Sequence, residues 1–201
     1  MVVRKSLKKK FALVSVYNKN KLQYLCSNLI KNNYNLISTG STGNKIRSMG
    51  FKCIDISKIT KFKEMFDGRI KTLNPLIYSS LLYVRDNKNH SKQFISLKVP
   101  EISIVVVNLY PFEKYKTNNK KNKIIEMIDI GGPSLLRAAS KNFKFVTPII
   151  SPMDYRKLIN NIKKNAGETD INFRKEMAYK VFKETSNYDK QIAKWFNEFK
   201  K

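Results

Sequence analysis

Apolar residues fall into two periodicities along the chain. Residues 11–16, FALVSV, form a short apolar run bounded by polar residues and predict a buried strand. Leu22, Leu25, Leu29 and Ile30 then repeat at helical spacing and predict an amphipathic helix. A second strand is predicted at 34–38, followed by the loop Thr39-Gly-Ser-Thr-Gly43, a short helix to Met49 and a third strand at 51–56. Strand, helix, strand, loop, helix, strand implies right-handed crossovers onto a parallel sheet, hence an α/β fold. Residues 102–107, ISIVVV, are the most apolar, β-branched run and predict a central strand buried on both faces. Residues 145–150 predict a last strand, which Pro148 puts at an edge or ends early, and Pro152 opens a helix at its permitted first turn. From about Asp170, the residues Met177, Val181, Phe182, Thr185, Tyr188, Ile192, Trp195 and Phe199 form one helical face, read as core packing.

Two segments interrupt this pattern. Residues 57–75 are polar and carry Gly68-Arg-Ile-Lys-Thr72, which predicts a long functional loop. Residues 114–123 are a charged, Asn-rich surface excursion. The organisation that follows is a basic N-terminal tail over 1–10, a core over 11–150 and a C-terminal helical extension over 151–201.

Composition narrows the class. A chain of 201 residues with 42% hydrophobic and 11% aromatic residues can bury one substantial core, and no apolar run approaches the ~18 residues of a membrane span. The basic start is followed by too short an apolar run for a secretory leader, which points to the cytoplasm. Cys26 and Cys53 lack metal-ligand spacing, and with His90 as the sole histidine they read as reduced structural thiols. The net charge of +25 raises the alternative of a basic nucleic-acid-binding protein. However, the lysines are scattered among asparagines through every segment, without a nucleic-acid-binding module, so no dedicated nucleic-acid partner is expected. The same positive field favours an anionic small substrate.

Four segments carry candidate chemistry. Residues 38–43, STGSTG, lie between a strand and a helix, where backbone N–H groups, hydroxyls and a helix N-terminus suit a phosphate; the alternative is an ordinary turn with Thr42 as N-cap. Arg69 and Lys71, two apart in an extended loop beside Thr72, point the same way, as clamping one phosphate requires; the alternative is a chance pair in a chain this rich in lysine. The NLYPF motif at 108–112 follows the central strand, so Asn108 and Tyr110 present an amide and a phenol where ligands bind in open α/β sheets; the alternative is a strand end stopped by Pro111. In the IDIGGP motif at 128–133, Asp129 precedes a helix N-terminus, where a plain cap is again the alternative.

Together these segments resemble the cyclohydrolase half of the bifunctional purine-biosynthesis enzyme family whose second half is an AICAR transformylase. The resemblance runs from about Phe11 to the C-terminus and keeps its motifs in order: Ser15 and Lys19, the Thr39 loop, Glu64-Met65 with Gly68 to Leu73, Asn108 to Phe112, Asp129 to Gly132, and Arg137 with Lys141-Asn142. It implies a methylglyoxal-synthase-like three-layer fold with a mainly parallel central sheet and a C-terminal helical segment. It also implies closure of FAICAR, a formylated carboxamide ribonucleotide, to IMP with loss of water, in a homodimer and without metal or cofactor. By position it implies Ser15, Lys19, Thr39, Gly40, Thr42, Arg69, Lys71 and Thr72 on the phosphate and ribose side, with Asn108, Tyr110, Asp129, Gly131 and Lys141 toward the imidazole and formyl groups. The catalytic set so implied is Lys71, Tyr110, Asp129 and Lys141. Tyr17, Ser41, Asn74, Tyr78 and Phe143 depart from the family pattern. Methylglyoxal synthase, a lyase on a triose phosphate, shares the implied fold and is the competing enzyme reading. An unbroken helix from Gly132 to Lys141 would hold Asp129 and Lys141 more than ~13 Å apart, which demands a late helix start, a loop that folds back, or a second subunit.

Overall fold

The computed structural model describes residues 9–63, 65–66, 69–112 and 121–198. Five strands, β1 (Lys10–Val16), β2 (Tyr34–Ser38), β3 (Cys53–Asp55), β4 (Ile102–Asn108) and β5 (Thr147–Ile149), form one sheet in the order β3-β2-β1-β4-β5. Every pairing is parallel, with Val14 opposite Ser38 on one side and Val106 on the other. β4 is buried along Ile104–Val107 and lies inside the sheet, as its unbroken apolar run predicts. β5 is one of the two edge strands, a position that tolerates Pro148.

Two helical layers cover the sheet. On one face, α1 (Leu22–Lys31) and α8 (Tyr155–Lys164) bury Leu22, Leu25, Leu29, Leu158 and Ile162 against Ala12, Val14, Leu36 and Val106. On the other, α4 (Pro75–Leu82) and α7 (Gly131–Lys141) bury Ile77, Leu81, Leu135 and Leu136 against Leu13, Ile37 and Val105. The odd and even residues of β1 thus feed different cores, as strand alternation requires. Each fully buried Leu, Ile or Val contributes roughly 1.5–3 kcal/mol.

The remaining helices are α2 (Gly40–Ser48), α3 (Ile56–Thr60), α5 (Lys88–Ser96), α6 (Lys121–Glu126) and α9 (Ile171–Glu198). α9 contributes Phe173 and Met177 to the first core, Val181 to the second, and Tyr188 and Trp195 to a small third cluster around Phe112.

The structure revises several readings of the sequence. α2 begins at Gly40, so the expected loop over 39–43 is largely helix. Thr42 lies inside that helix and does not cap it; its hydroxyl donates to the Val16 carbonyl at 2.9 Å and accepts the Val16 N–H at 3.1 Å. The polar stretch over 57–75 contains α3 and an isolated antiparallel bridge between Met65 and Ile70. Phe182 does not join the buried face of α9: it is 41% exposed beneath the Arg137 guanidinium. Residues 1–8 of the basic tail, Glu64, Gly68, most of the 114–123 excursion and Phe199 lie outside the described residues. Among the described residues no helix is long and apolar enough to cross a membrane.

Candidate active site

The carboxyl ends of β1, β2 and β4 open into a cleft of about 580 Å³, a volume suited to a small ligand. Four chain segments converge there: Ser15 to Lys19 after β1, Thr39 to Thr42 at the start of α2, Asn108 and Tyr110 after β4, and Asp129 to Gly132 at the start of α7. Arg69, Lys71 and Thr72 close the cleft from the loop that precedes α4, with Glu126 of α6 on the rim.

Two helix N-termini face this space. At α2, Thr39 makes no side-chain cap; its hydroxyl instead pairs with Ser15 Oγ at 3.2 Å. The first N–H groups of α2 therefore have no cap from Thr39, and a helix start in that condition carries about half a positive charge. Gly40 sits at φ +40, and a Cβ there would come within 2.5 Å of Lys71 Nζ, so the ammonium lies directly over the helix start. Lys19 Nζ reaches toward the Val16 and Tyr17 carbonyls at 3.5 and 3.4 Å. Backbone donors and hydroxyls at the start of α2, with the Lys71 ammonium over Gly40 and Lys19 in the same cleft lining, make a phosphate cradle.

At α7, Asp129 accepts the Gly132 N–H through Oδ1 at 2.9 Å. Thr72 Oγ1 lies over Gly131, where a Cβ would come within 2.7 Å of it. Residues 71 and 72 therefore span the two helix starts, Lys71 over α2 and Thr72 over α7. Burial pushes the Asp129 carboxyl above the usual carboxylate range, with the Gly132 N–H pulling the other way. Burial likewise raises the Tyr110 phenol, with Asp129 and then Tyr17 adding to it. The Tyr17 and Tyr110 rings lie 4.8 Å apart at 50°. One end of the cleft is thus cationic and the other holds a carboxyl group and phenols, an arrangement suited to proton transfer on an anchored anion.

Of the residues singled out in the sequence, Ser15, Lys19, Thr39, Gly40, Thr42, Arg69, Lys71, Thr72, Asn108, Tyr110, Asp129 and Gly131 all line this cleft. The Asn108 amide also ties the cleft together, accepting the Asn18 N–H at 2.8 Å and donating to the Asn18 carbonyl at 3.0 Å. Lys141 stands apart: it is the exposed last residue of α7, about 15 Å along the axis from Gly131. α7 starts before Gly132 and runs unbroken, so neither a late start nor a folded-back loop closes that distance. Its neighbour Asn142 donates to the Leu81 and Tyr83 carbonyls and is structural. His90 accepts the Val84 N–H through Nδ1, outside the cleft lining.

Sequence reasoning missed three participants. Glu126 forms an ion pair with Arg69, a partner 57 residues away that no local pattern announces. Tyr17 is a departure from the family pattern and nonetheless lines the cleft. Tyr188, hidden in the α9 stripe, accepts the Asp129 backbone N–H.

The MGS-like domain family model matches residues 21–134, and the model described as AICARFT/IMPCHase bienzyme matches residues 139–201. A bifunctional purine biosynthesis protein PurH from Ruminiclostridium cellulolyticum is 42% identical over 191 residues, covering 94% of this chain and 37% of the relative. The PurH of Clostridium botulinum is 44% identical over 190 residues, covering 94% and 38%. The chain thus spans less than two fifths of the length of these curated relatives. A solved structure described as the crystal structure of ForH superposes with a TM-score of 0.86 at 25% identity, covering 94% of this chain and 97% of that one.

Proposed function

The chain belongs to the MGS-like domain family, in the branch of the bifunctional purine biosynthesis proteins PurH, and from that membership we propose that its cleft closes FAICAR to IMP in the cytoplasm. The observation that carries this reading is the pairing of a phosphate cradle at α2 with a half-buried, partly desolvated carboxyl and a phenol at α7 and β4, within one cleft. In ring closure, the weakly nucleophilic carboxamide nitrogen attacks the formyl carbon, forming a C–N bond and a tetrahedral intermediate; the C–O bond then breaks as C=N forms to the formamido nitrogen, and the oxygen leaves as water with one proton from each nitrogen. Asp129 accepts the proton lost by nitrogen, and its raised pKa brings it closer to the working pH than a solvated carboxylate would be. Tyr110 hydrogen-bonds the developing oxyanion and helps its departure. Lys71, over Gly40, supplies positive charge between the phosphate and the reacting end. Ser15, Lys19, Thr39 and Thr72 hold the phosphate and ribose together with the first-turn backbone N–H of Thr42, whose hydroxyl is taken up by Val16, and Asn108 keeps the β1 and β4 ends in register. Arg69 exchanges Glu126 for the substrate phosphate.

Lys141 enters this scheme through the homodimer that the family resemblance implies, where a second copy would deliver it. The test of the reaction class is to supply FAICAR and a triose phosphate in separate incubations. IMP from the first and no methylglyoxal from the second support cyclohydrolase chemistry; the reverse pattern supports a methylglyoxal-synthase-like lyase.

A further inference from the structure

The two segments that carry the chemistry, NLYPF and IDIGGP, are joined by a residue that belongs to neither. Tyr188 of α9 accepts the backbone N–H of Asp129 at 2.9 Å and donates its phenolic hydrogen to the Met127 carbonyl at 3.2 Å. Its ring meets the edge of Phe112 at 6.4 Å and 78°, and Phe112 packs in turn on Trp195 at 6.0 Å and 83°. All three rings are buried.

A core tyrosine needs one partner for its hydroxyl. This one engages two backbone groups of a single loop, one on each side of Ile128, and so fixes the position and the orientation of the peptides leading into Asp129. The Asp129 side chain is fixed separately by the Gly132 N–H. The carboxylate is therefore held from the front by α7 and from behind by α9, while Phe112 on the same ring anchors the segment that presents Tyr110.

We propose that Tyr188 is a positioning residue for ring closure, setting the Asp129 carboxylate against the Tyr110 phenol through its paired hydrogen bonds to the Met127–Asp129 backbone. The inference rests on the proposed function of the cleft, and it makes the C-terminal helix part of the active site.

The test is Tyr188→Phe in the full chain, which keeps the ring packing and removes only the hydroxyl. Two readouts are compared with the parent: FAICAR closure kinetics, and hydrogen exchange of individual backbone amides without substrate. A loss of about tenfold in kcat is expected with KM within about twofold, since displacement of a reacting group costs rate more than binding. The Asp129 amide should exchange at least about tenfold faster, while amides of β1 and β4 keep the parent's protection. A kcat within about twofold of the parent overturns the proposal, as does a rate loss accompanied by faster exchange throughout β1 and β4, which marks a merely structural residue. If the parent itself does not close FAICAR, the proposed function fails. The Asp129 amide alone then decides whether Tyr188 holds this loop, and unchanged exchange overturns that.

Discussion

Gly132 faces the Asp129 carboxylate so closely that adding one carbon converts a statement about geometry into a rate. A Cβ at Gly132 would lie 2.3 Å from Asp129 Oδ2, 3.0 Å from its Cγ and 3.1 Å from Val107 Cγ1. Ordinary contact begins near 3.4 Å, so in Gly132→Ala the carboxylate must retreat by about 1.1 Å. Val107 belongs to the buried β4 strand and can give way only by a few tenths of an ångström, so the displacement falls on Asp129. A misplacement of about 1 Å in a reacting group can cost about a hundredfold in rate. Stability moves much less, because replacing glycine by alanine near a helix start returns up to about 1 kcal/mol of helix propensity against the steric strain. For a chain of this size about 1 kcal/mol corresponds to roughly 2–4 °C in Tm. The assay is FAICAR closure followed by absorbance, with Tm measured on the same sample. A variant that melts near the parent and turns over about a hundredfold more slowly is the expected result. Gly132→Ala with the parent's kcat would show that the Asp129 carboxylate is not where the reaction needs it.

Other consequences concern charge and protonation. A carboxyl whose pKa rises on folding contributes stability below its unfolded pKa and loses it as pH rises through its folded pKa, so the partly desolvated Asp129 disfavours the folded state at neutral pH. Asp129→Asn should therefore melt above the parent at pH 7, with the gap closing in acid; an equal gap at both pH values contradicts the burial argument. Glu126→Gln releases Arg69 from an exposed ion pair, and because such pairs are weak the KM for FAICAR should fall by only roughly threefold. A rise in KM would mean that Glu126 itself serves the substrate. Burial pushes the Cys26 thiol up to about 12 and the Cys53 thiol up to about 11, so both are protonated at pH 8. The native protein should resist alkylation that proceeds rapidly once it is unfolded, and rapid native labelling of Cys26 would contradict its burial.

The sheet was legible where apolar residues cluster without interruption. β1, β2 and β4 appear within a residue of their predicted bounds: β4 is a β-branched run buried along nearly its whole length, and β1 and β2 are short, mostly buried segments closed by polar residues. α4 and α5 left no comparable signal. PLIYSSLL is apolar around most of its circumference, so no face stands out, and α5 buries no side chain and has no apolar stripe to find. The sequence pattern places the start of α2 too late because two glycines in STGSTG read as loop, although a glycine at positive φ can open a helix. In the site, residues beside a motif could be named from the sequence. Glu126 and Tyr188 could not, since one meets Arg69 and the other meets Asp129 only through the fold. Tyr188 was visible only as a member of a packing stripe, where a phenol and a phenyl ring give the same periodic signal.

The role of Asp129 in ring closure is tested most directly by mixing purified chain with FAICAR and following IMP formation by absorbance, for the parent and for Asp129→Asn side by side. Steady IMP production by the parent, with a loss of about a hundredfold or more in the variant, is the predicted result for a site whose proton acceptor is Asp129. No IMP from a folded parent, or an Asp129→Asn variant that closes the ring at the parent's rate, would contradict it.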